Sequence, residues 1–268
     1  MGSLDKKLVV ITGGSRGIGP VIAEHLAERG ANIVVAARSR KGLSEAASSL
    51  RKLGIKTMMI PVDLSKSYQR RRLVAAVLKT FGGIDVLINN AGLETEGAYM
   101  DLSWQEIRKT IETNLIAPME LTKLVLPSMI KRKSGHIVNM ASIAAKSGSP
   151  YAAVYSGTKA GLAEWTRALR LELKDTGVKF STIFPGYVRE VGMFAKFGIK
   201  SPWIVGSCSP KQVAVAVSSA IERGWKEKIV NTPPLRYSFV INEAFPSIGD
   251  WLMKFSGLVE FQKKKVGK

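Results

Sequence analysis

Three side chains that can handle a proton lie close together in the sequence: Ser142, Tyr155 and Lys159. Tyr155 and Lys159 are four residues apart within residues 152–175, where apolar and small residues recur at helical spacing. Residues four apart share one face of a helix, so the phenol and the ammonium are expected side by side. The ammonium favours the phenolate and should lower the phenol pKa from about 10. This spacing predicts a proton-transfer site.

The predicted elements around these residues decide whether they meet. Residues 135–141 form an apolar run typical of a buried strand, and Ser142 follows it directly. A hydroxyl at a strand end can face the next helix, which carries Tyr155 and Lys159. A Tyr four residues before a Lys is also common on solvated helices, so the pair alone is weak evidence of a site.

A glycine-rich turn follows the first predicted strand, residues 8–12, and precedes a helical pattern over residues 21–29. Glycines there let the backbone approach a pyrophosphate, and the helix N-terminus supplies N–H donors. A tight turn without a ligand is the alternative, but the order of strand, glycines and helix favours dinucleotide binding. The candidate residues are Gly13, Ser15, Arg16, Gly17, Ile18 and Gly19.

The end of the second predicted strand, residues 32–37, bears on which dinucleotide is bound. An acidic residue there would bind the ribose 2′-hydroxyl of NAD, whereas this chain has Ala37 followed by Arg38, Ser39 and Arg40. A guanidinium matches a 2′-phosphate, and Arg16 is a second cation within reach. These arginines could instead be solvated, but their positions favour NADP(H).

Polar and small residues also follow the other predicted strands. Asp63 and Leu64 end the third strand, where the carboxylate could accept from an adenine amino group or cap the next helix. The fourth strand ends in Asn89, Asn90, Ala91 and Gly92, and the sixth ends in Pro185, Gly186, Tyr187 and Val188. Asn114 lies within the helical stretch 104–133, where an Asn is usually a surface residue. Strand and helix alternate up to a seventh strand at 228–231, which predicts one doubly wound parallel sheet with helices on both faces.

The composition of the chain argues against several kinds of protein and of functional site. The chain has 268 residues and 46% hydrophobic residues, which is ordinary for a folded protein. One cysteine excludes an internal disulfide, and two distant histidines, His25 and His136, disfavour a zinc site or a Ser-His-Asp triad, so we expect no metal. No signal peptide or membrane-spanning run is present, so we expect a protein of the cytoplasm or of its membrane face.

The net charge of +19 attracts phosphates, anionic lipids or acidic proteins. Lys and Arg are spread along the chain without interleaved aromatic residues, so nucleic acid is not an expected partner.

Two apolar stretches lie outside these motifs. Residues 190–210 are rich in large apolar side chains and predict a lid over an apolar ligand, with core packing as the alternative. Residues 248–259 place Ile248, Trp251, Leu252, Phe255, Leu258 and Val259 on one face of a helix, followed by Lys263, Lys264, Lys265 and Lys268. That helix could lie on an anionic membrane surface, or pack on its own domain or a partner subunit. We therefore divide the chain into a dinucleotide-binding and catalytic unit, residues 1–232, and an amphipathic basic extension, residues 233–268.

Taken together, the motifs resemble those of the short-chain dehydrogenase/reductase family in order and spacing over about residues 6–231. They are Thr12-Gly13-x-x-x-Gly17-Ile18-Gly19, Asp63-Leu64, Asn89-Asn90-Ala91-Gly92, Asn114, Ser142, Tyr155-x-x-x-Lys159 and Pro185-Gly186. The resemblance implies a Rossmann fold and NAD(P)-dependent interconversion of carbonyls and alcohols. It also implies a homodimer or homotetramer through the long helices. Relatives often build a tetramer with their C-terminal ends, and the longer end of this chain leaves that mode open.

The same resemblance implies a role for each catalytic residue. Tyr155 would donate a proton to the substrate oxygen, and Ser142 would hydrogen-bond that oxygen. Lys159 would hold the nicotinamide ribose and lower the pKa of Tyr155, and Asn114 would tether a water that relays protons from Lys159. One region departs from the family pattern: Arg189 and Glu190 stand where a Thr usually meets the nicotinamide carboxamide.

Three functions remain open at this stage. The leading hypothesis is an NADPH-dependent reductase of an apolar, long-chain or polycyclic ketone, and the tail is similar to those of membrane-associated reductases of lipid-like ketones. The second is a reductase of 3-oxoacyl chains on an acidic acyl carrier protein, which the basic surface would suit. The third is a non-catalytic NADPH-binding module, against which Ser142, Tyr155 and Lys159 argue.

Overall fold

The protein is built around one seven-stranded sheet in which every neighbouring pair of strands is parallel. The computed structural model describes residues 4–194, 201, 205–233 and 235–267. The strand order is β3-β2-β1-β4-β5-β6-β7. The strands are β1 (Leu8–Thr12), β2 (Asn32–Ala37), β3 (Thr57–Pro61), β4 (Val86–Asn89), β5 (Gly135–Met140), β6 (Val178–Pro185) and β7 (Glu227–Val230).

Helices cover both faces of this sheet, which confirms the predicted fold class. Helices α1, α2 and α7 pack on one face through residues such as Ile22, Leu43 and Val217. Helices α3 and α5 pack on the other through residues such as Leu73 and Leu121. The central strands are buried on both faces, so they are continuous apolar runs rather than alternating ones. The helices of this unit are α1 (Ile18–Ala27), α2 (Arg40–Arg51), α3 (Ser67–Phe81), α4 (Trp104–Ile111), α5 (Ala117–Lys131), α6 (Ala153–Glu172) and α7 (Pro210–Arg223).

The helical stretch predicted over 104–133 is interrupted. Helix α4 passes into a π-helical turn at Glu112–Ile116 before α5 begins. A π turn inserts one extra residue per turn and re-aims the side chains that it carries. It contains Asn114, whose side chain is therefore turned inward rather than placed on a surface face, and the residue is 0% exposed.

The C-terminal extension is helical, as predicted, but it is not one helix. It forms α8 (Arg236–Ala244), α9 (Pro246–Phe255) and α10 (Leu258–Lys265). The predicted single helix over 248–259 is wrong because Gly257 adopts a left-handed conformation with φ of 71° and separates α9 from α10. Helices α8 and α9 keep an exposed apolar face, whereas α10 buries Gln262 and Lys265. None of the helices within the described residues is long and apolar enough to cross a membrane.

Both histidines serve packing. His25 and His136 are 9% and 5% exposed, and their Nε2 atoms lie 3.0 Å from Ser218 Oγ and 2.8 Å from Ser181 Oγ respectively. Burial lowers the pKa of His136 to about 4, with Lys179 and Lys7 adding to the effect. The His136 imidazole therefore stays neutral at neutral pH.

Candidate active site

A cavity of about 710 Å³ opens at the carboxyl ends of the strands, where open α/β sheets bind ligands. Its walls bring together residues that follow each of the strands β1 to β6. All of the predicted site residues line it except Gly19 and Asn114. Those that do are Gly13, Ser15, Arg16, Gly17, Ile18, Arg38, Ser39, Asp63, Leu64, Asn90, Ala91, Gly92, Ser142, Tyr155, Lys159, Pro185, Gly186 and Val188.

The glycine turn between β1 and α1 leads directly into the N-terminus of that helix. Gly17 precedes α1 with φ of 67°, a conformation that favours glycine, and the first turn of α1 carries no acidic side chain to oppose an anion. Gly19 does not reach the cavity. A Cβ on Gly19 would lie 2.2 Å from the Gly13 carbonyl oxygen, so this glycine permits close packing of α1 on the turn.

Residues after β2 and β3 form another part of the cavity wall. Ala37 ends β2 without an acidic group, and the exposed Arg38 follows it. Ser39 has an additional task, because its hydroxyl caps α2 by accepting a hydrogen bond from the Gly42 N–H at 3.1 Å.

Asp63 does not cap helix α3, as one reading of the sequence expected. Its Oδ1 accepts from the Ser65 N–H at 3.0 Å and from the Ser65 hydroxyl at 2.8 Å, which closes a local turn. Burial works to raise the pKa of Asp63, but these hydrogen bonds and the nearby charges of Arg38 and Lys109 outweigh it and lower the pKa. The carboxylate therefore stays ionised beside Arg38.

The strand ends β1 and β4 are tied together. The Thr12 hydroxyl accepts from the backbone N–H groups of Asn90 and Ala91 at 3.0 and 3.1 Å, and the Asn90 amide donates to the Thr12 carbonyl at 2.9 Å. Asn90 Oδ1 is buried without a hydrogen-bond partner among the described residues. The residue that carries this atom lines the cavity.

Lys159 is buried beneath Tyr155. It is 3% exposed, its Nζ donates to the Met140 carbonyl at 2.7 Å, and it lies 5.8 Å from the centre of the Tyr155 ring. Burial lowers the pKa of Lys159 to about 8, partly opposed by the negative charge of Glu94. The charge on this ammonium is therefore lost at moderately alkaline pH.

The phenol of Tyr155 does not have the lowered pKa that the sequence predicted. Tyr155 is 7% exposed, and burial raises its pKa, with further contributions from Glu94 and Glu96. The Ser142 hydroxyl acts in the opposite direction as a hydrogen-bond partner. The prediction was wrong because it considered only the positive charge of Lys159. It left out the burial of the phenol and the negative charges of Glu94 and Glu96. Tyr155 thus keeps its proton, which suits a proton donor.

Asn114 lies behind the cavity wall rather than in it. Its Oδ1 accepts from the Leu93 N–H at 2.8 Å, and its Nδ2 donates to the Leu93 carbonyl at 2.8 Å and to Thr158 Oγ1 at 3.1 Å. A Cβ built on Gly92 would lie 3.5 Å from Lys159 Nζ and 3.6 Å from Asn114 Oδ1. The two polar groups therefore flank the same point of the backbone.

Sequence reasoning missed a group of residues in and beside this cavity. Glu94, Tyr187 and Gln262 line it, and Lys265 contacts both Glu94, at 3.0 Å, and Glu96. Burial and repulsion from Glu94 raise the pKa of Glu96 to about 7 despite the contact with Lys265. Gln262 and Lys265 belong to α10, so only the tertiary fold brings them here.

The predicted lid is only partly described. Met193 and Phe194 line the cavity, and the Phe194 ring lies 4.7 Å from that of Tyr187. Phe197, Ile199, Trp203 and Ile204 lie outside the described residues. Arg189 and Glu190, which depart from the family pattern, do not line the cavity, and Arg189 donates to Ser207 Oγ at 3.2 Å. No group of three or more His, Cys, Asp or Glu residues in the described part of the chain could hold a metal ion.

The family model described as short chain dehydrogenase matches residues 7–200. The chain belongs to the short-chain dehydrogenase family. It is 42% identical over 270 residues to the ketoacyl reductase HetN of Nostoc sp., covering 99% of this chain and 94% of that protein. It is 36% identical over 186 residues to the 3-oxoacyl-[acyl-carrier-protein] reductase FabG of Vibrio cholerae, covering 69% and 75%.

Comparison with a solved structure supports the same fold and family. A point variant of actinorhodin polyketide ketoreductase with NADPH superimposes on this short-chain dehydrogenase with a TM-score of 0.78 and 32% identity, covering 85% of this chain and 97% of that one. The resemblance inferred from Gly13 to Gly186 is thereby confirmed at the level of family and fold.

Proposed function

We propose that this protein reduces a ketone of an apolar compound to a secondary alcohol, with Tyr155 as the proton donor. The chain is an NADP(H)-dependent oxidoreductase. The observation that carries the proposal is that Ser142, Tyr155 and Lys159 line the same cavity as the glycine turn and Arg38. A carbonyl placed at the two hydroxyls would therefore lie in the same space as the nicotinamide end of a dinucleotide held by that turn.

The chain's own groups account for the proton half of the reaction. Bound NADPH would supply the hydride that adds to the carbonyl carbon. The Ser142 hydroxyl would donate a hydrogen bond to the carbonyl oxygen, and Tyr155 would transfer its phenolic proton to that oxygen. The Lys159 ammonium would stabilise the phenolate that remains. Asn114, which flanks Gly92 together with Lys159, is proposed to anchor the relay that returns the proton.

Selectivity for NADPH is proposed to depend on Arg38, with Arg16 as a second cation. Arg38→Ala should raise KM for NADPH about 10- to 100-fold, since a charge-assisted pair of hydrogen bonds to a phosphate would be lost. KM for NADH should change by less than about twofold, because NADH has no 2′-phosphate. Arg40→Ala, an exposed arginine two residues away that does not line the cavity, is the matched control. A wild-type preference for NADH would contradict this assignment.

An apolar substrate is supported by aromatic residues of the cavity wall. Tyr187 and Phe194 line the cavity, and their rings pack with that of Phe261 behind them, with centroid separations of 4.7 to 6.3 Å. Apolar and aromatic walls with few polar groups are typical of sites for apolar ligands.

A 3-oxoacyl chain is a second candidate for this site. The similar protein from Nostoc is named a ketoacyl reductase, and a net charge of +19 suits an acidic carrier protein. Comparison of one 3-oxoacyl chain as a free thioester and on its carrier protein separates the candidates. A large preference for the carrier-bound form favours the second, and equal rates favour the first.

The experiment that tests the proposal is an NADPH-oxidation screen over ketones of graded chain length, repeated with NADH. We expect the rate to rise with chain length and to require NADPH. Binding of NADPH without its oxidation by any ketone would overturn the proposal and favour the non-catalytic binding module.

We also propose that α8 and α9 dock on an anionic membrane surface. Eight large apolar residues, seven in these two helices and Phe245 between them, are 39% to 81% exposed: Tyr237, Val240, Ile241, Phe245, Ile248, Trp251, Leu252 and Phe255. Trp251 and Phe255 stack at 5.2 Å. An apolar helical face on a protein of high positive charge is typical of interfacial binding.

Two further features remain proposals. They are the division of the chain after residue 232 into a catalytic unit and an extension, and assembly as a homodimer or homotetramer through the long helices.

Replacement of Trp251 and Phe255 by serine should lower co-sedimentation with vesicles that contain phosphatidylserine by at least about fivefold, because much of the inserted apolar area would be lost. Trp104→Ser, which removes a 66% exposed tryptophan from α4, should leave it unchanged. If the double variant sediments like the wild type, the membrane proposal fails. If it instead loses a dimer seen by light scattering, the face is a subunit interface.

A further inference from the structure

Helix α10, near the end of the chain, forms part of the wall of the cavity that holds Tyr155. Gln262 lines this cavity and is 3% exposed. Its Nε2 donates to Ser149 Oγ at 2.5 Å and to the Tyr187 hydroxyl at 2.8 Å. Both acceptors also line the cavity. Gln262 is 113 residues away from Ser149 in sequence. Its hydrogen bonds thus join the C-terminal extension to the wall of the cavity.

Further contacts fix α10 in this position. The Lys265 side chain is 0% exposed and pairs with Glu94 and Glu96, which follow β4. The Phe261 ring packs edge-on against the Tyr187 ring at 5.7 Å. Gln262 therefore lies between two anchored residues of α10, Phe261 and Lys265.

The Tyr187 hydroxyl can donate a hydrogen bond into the cavity. Because its oxygen accepts the hydrogen bond from Gln262, its own proton is left for another acceptor. Burial raises the pKa of Tyr187, with Glu94 and Glu96 adding to the effect, so the phenol stays neutral. Tyr187 and Tyr155 line the same cavity. The cavity thus holds a second phenolic donor besides the proposed proton donor.

We propose that the Tyr187 hydroxyl, positioned by Gln262, binds a second oxygen of the substrate next to the reacting ketone. The pair would make the enzyme prefer ketones with a neighbouring carbonyl acceptor, such as 3-oxo thioesters or 3-oxo esters, over simple ketones. Gln262 acts through Tyr187 and is a positioning residue. The inference rests on the proposed ketone reduction, because it concerns the same cavity.

The test uses two substrates of equal chain length, a 3-oxoacyl thioester of N-acetylcysteamine and a methyl ketone. Tyr187→Phe removes only the hydroxyl, and Gln262→Leu removes the donor at similar size. Each variant should lower kcat/KM for the thioester about 10-fold, the effect of one lost hydrogen bond, and change that for the methyl ketone less than about twofold. Lys264→Met, on the exposed side of α10, is the matched control and should change neither value.

The ratio of the two kcat/KM values separates recognition from a structural effect. An equal loss for both substrates would mean that α10 only supports the fold, and it would overturn the inference. Unchanged values for both substrates in Tyr187→Phe would overturn it as well. If the wild-type enzyme reduces neither substrate, the proposed function itself fails, and that result is visible before any variant is made.

Discussion

Replacement of Tyr155 by phenylalanine is expected to lower kcat for ketone reduction about 1000-fold, while the Kd for NADPH changes less than about twofold. The variant loses one oxygen, and with it the proposed source of the proton for the carbonyl oxygen. The buried ring would still fill its place above Lys159, so the glycine turn and Arg38 would be undisturbed. NADPH oxidation measures kcat, and a fluorescence titration with NADPH measures Kd.

The chain offers a matched control for this variant. Tyr151 is half-buried in the loop before α6 and does not line the 710 Å³ cavity. Tyr151→Phe removes the same atom from the same type of side chain four residues away, and it should keep kcat within about twofold. Rates in Tyr155→Phe close to those of Tyr151→Phe would refute the role of Tyr155.

Lys159→Met is expected to lower kcat/KM at pH 7 about 100-fold or more, because the phenolate left after proton transfer would lose its buried counter-charge. The wild-type pH profile should also report Lys159. Its pKa is lowered to about 8, so the ammonium is charged below that pH and neutral above it. The wild-type kcat/KM should therefore fall as the pH rises through about 8.

The variant and the wild type should differ in the shape of these profiles, measured as kcat/KM from pH 6 to pH 10. Lys159→Met should lack the alkaline decline near pH 8, since no group with that pKa remains at this position. The same decline in both proteins would assign it to another group and contradict the role given to the Lys159 charge.

The strands and most of the cavity could be predicted from sequence because local patterns determine them. Strands β1 and β2 are short apolar runs with the predicted bounds, since both faces of a central parallel strand are buried. The residues after such strands meet at one edge of the sheet, which is why Arg38, Asn90 and Ser142 line one cavity although they are far apart in sequence.

Other features depend on contacts that no local pattern encodes. The burial of Asn114 requires the π turn between α4 and α5. The raised pKa of Tyr155 results from burial and from Glu94 and Glu96, which are about 60 residues away in sequence. The contact of Lys265 with Glu94 spans 171 residues. The apolar periodicity of residues 248–259 can predict a helix, but it does not show that Gly257 divides this stretch into α9 and α10.

One measurement tests the central claim most directly: the fate of deuterium from NADPH labelled at its transferable position, followed by mass spectrometry of the product. The account predicts one deuterium on the carbinol carbon of the alcohol for each NADPH oxidised, and formation of this labelled alcohol about 1000-fold more slowly when Tyr155→Phe replaces the wild-type enzyme. An alcohol without deuterium, or oxidation of NADPH with the ketone recovered unchanged, would contradict it.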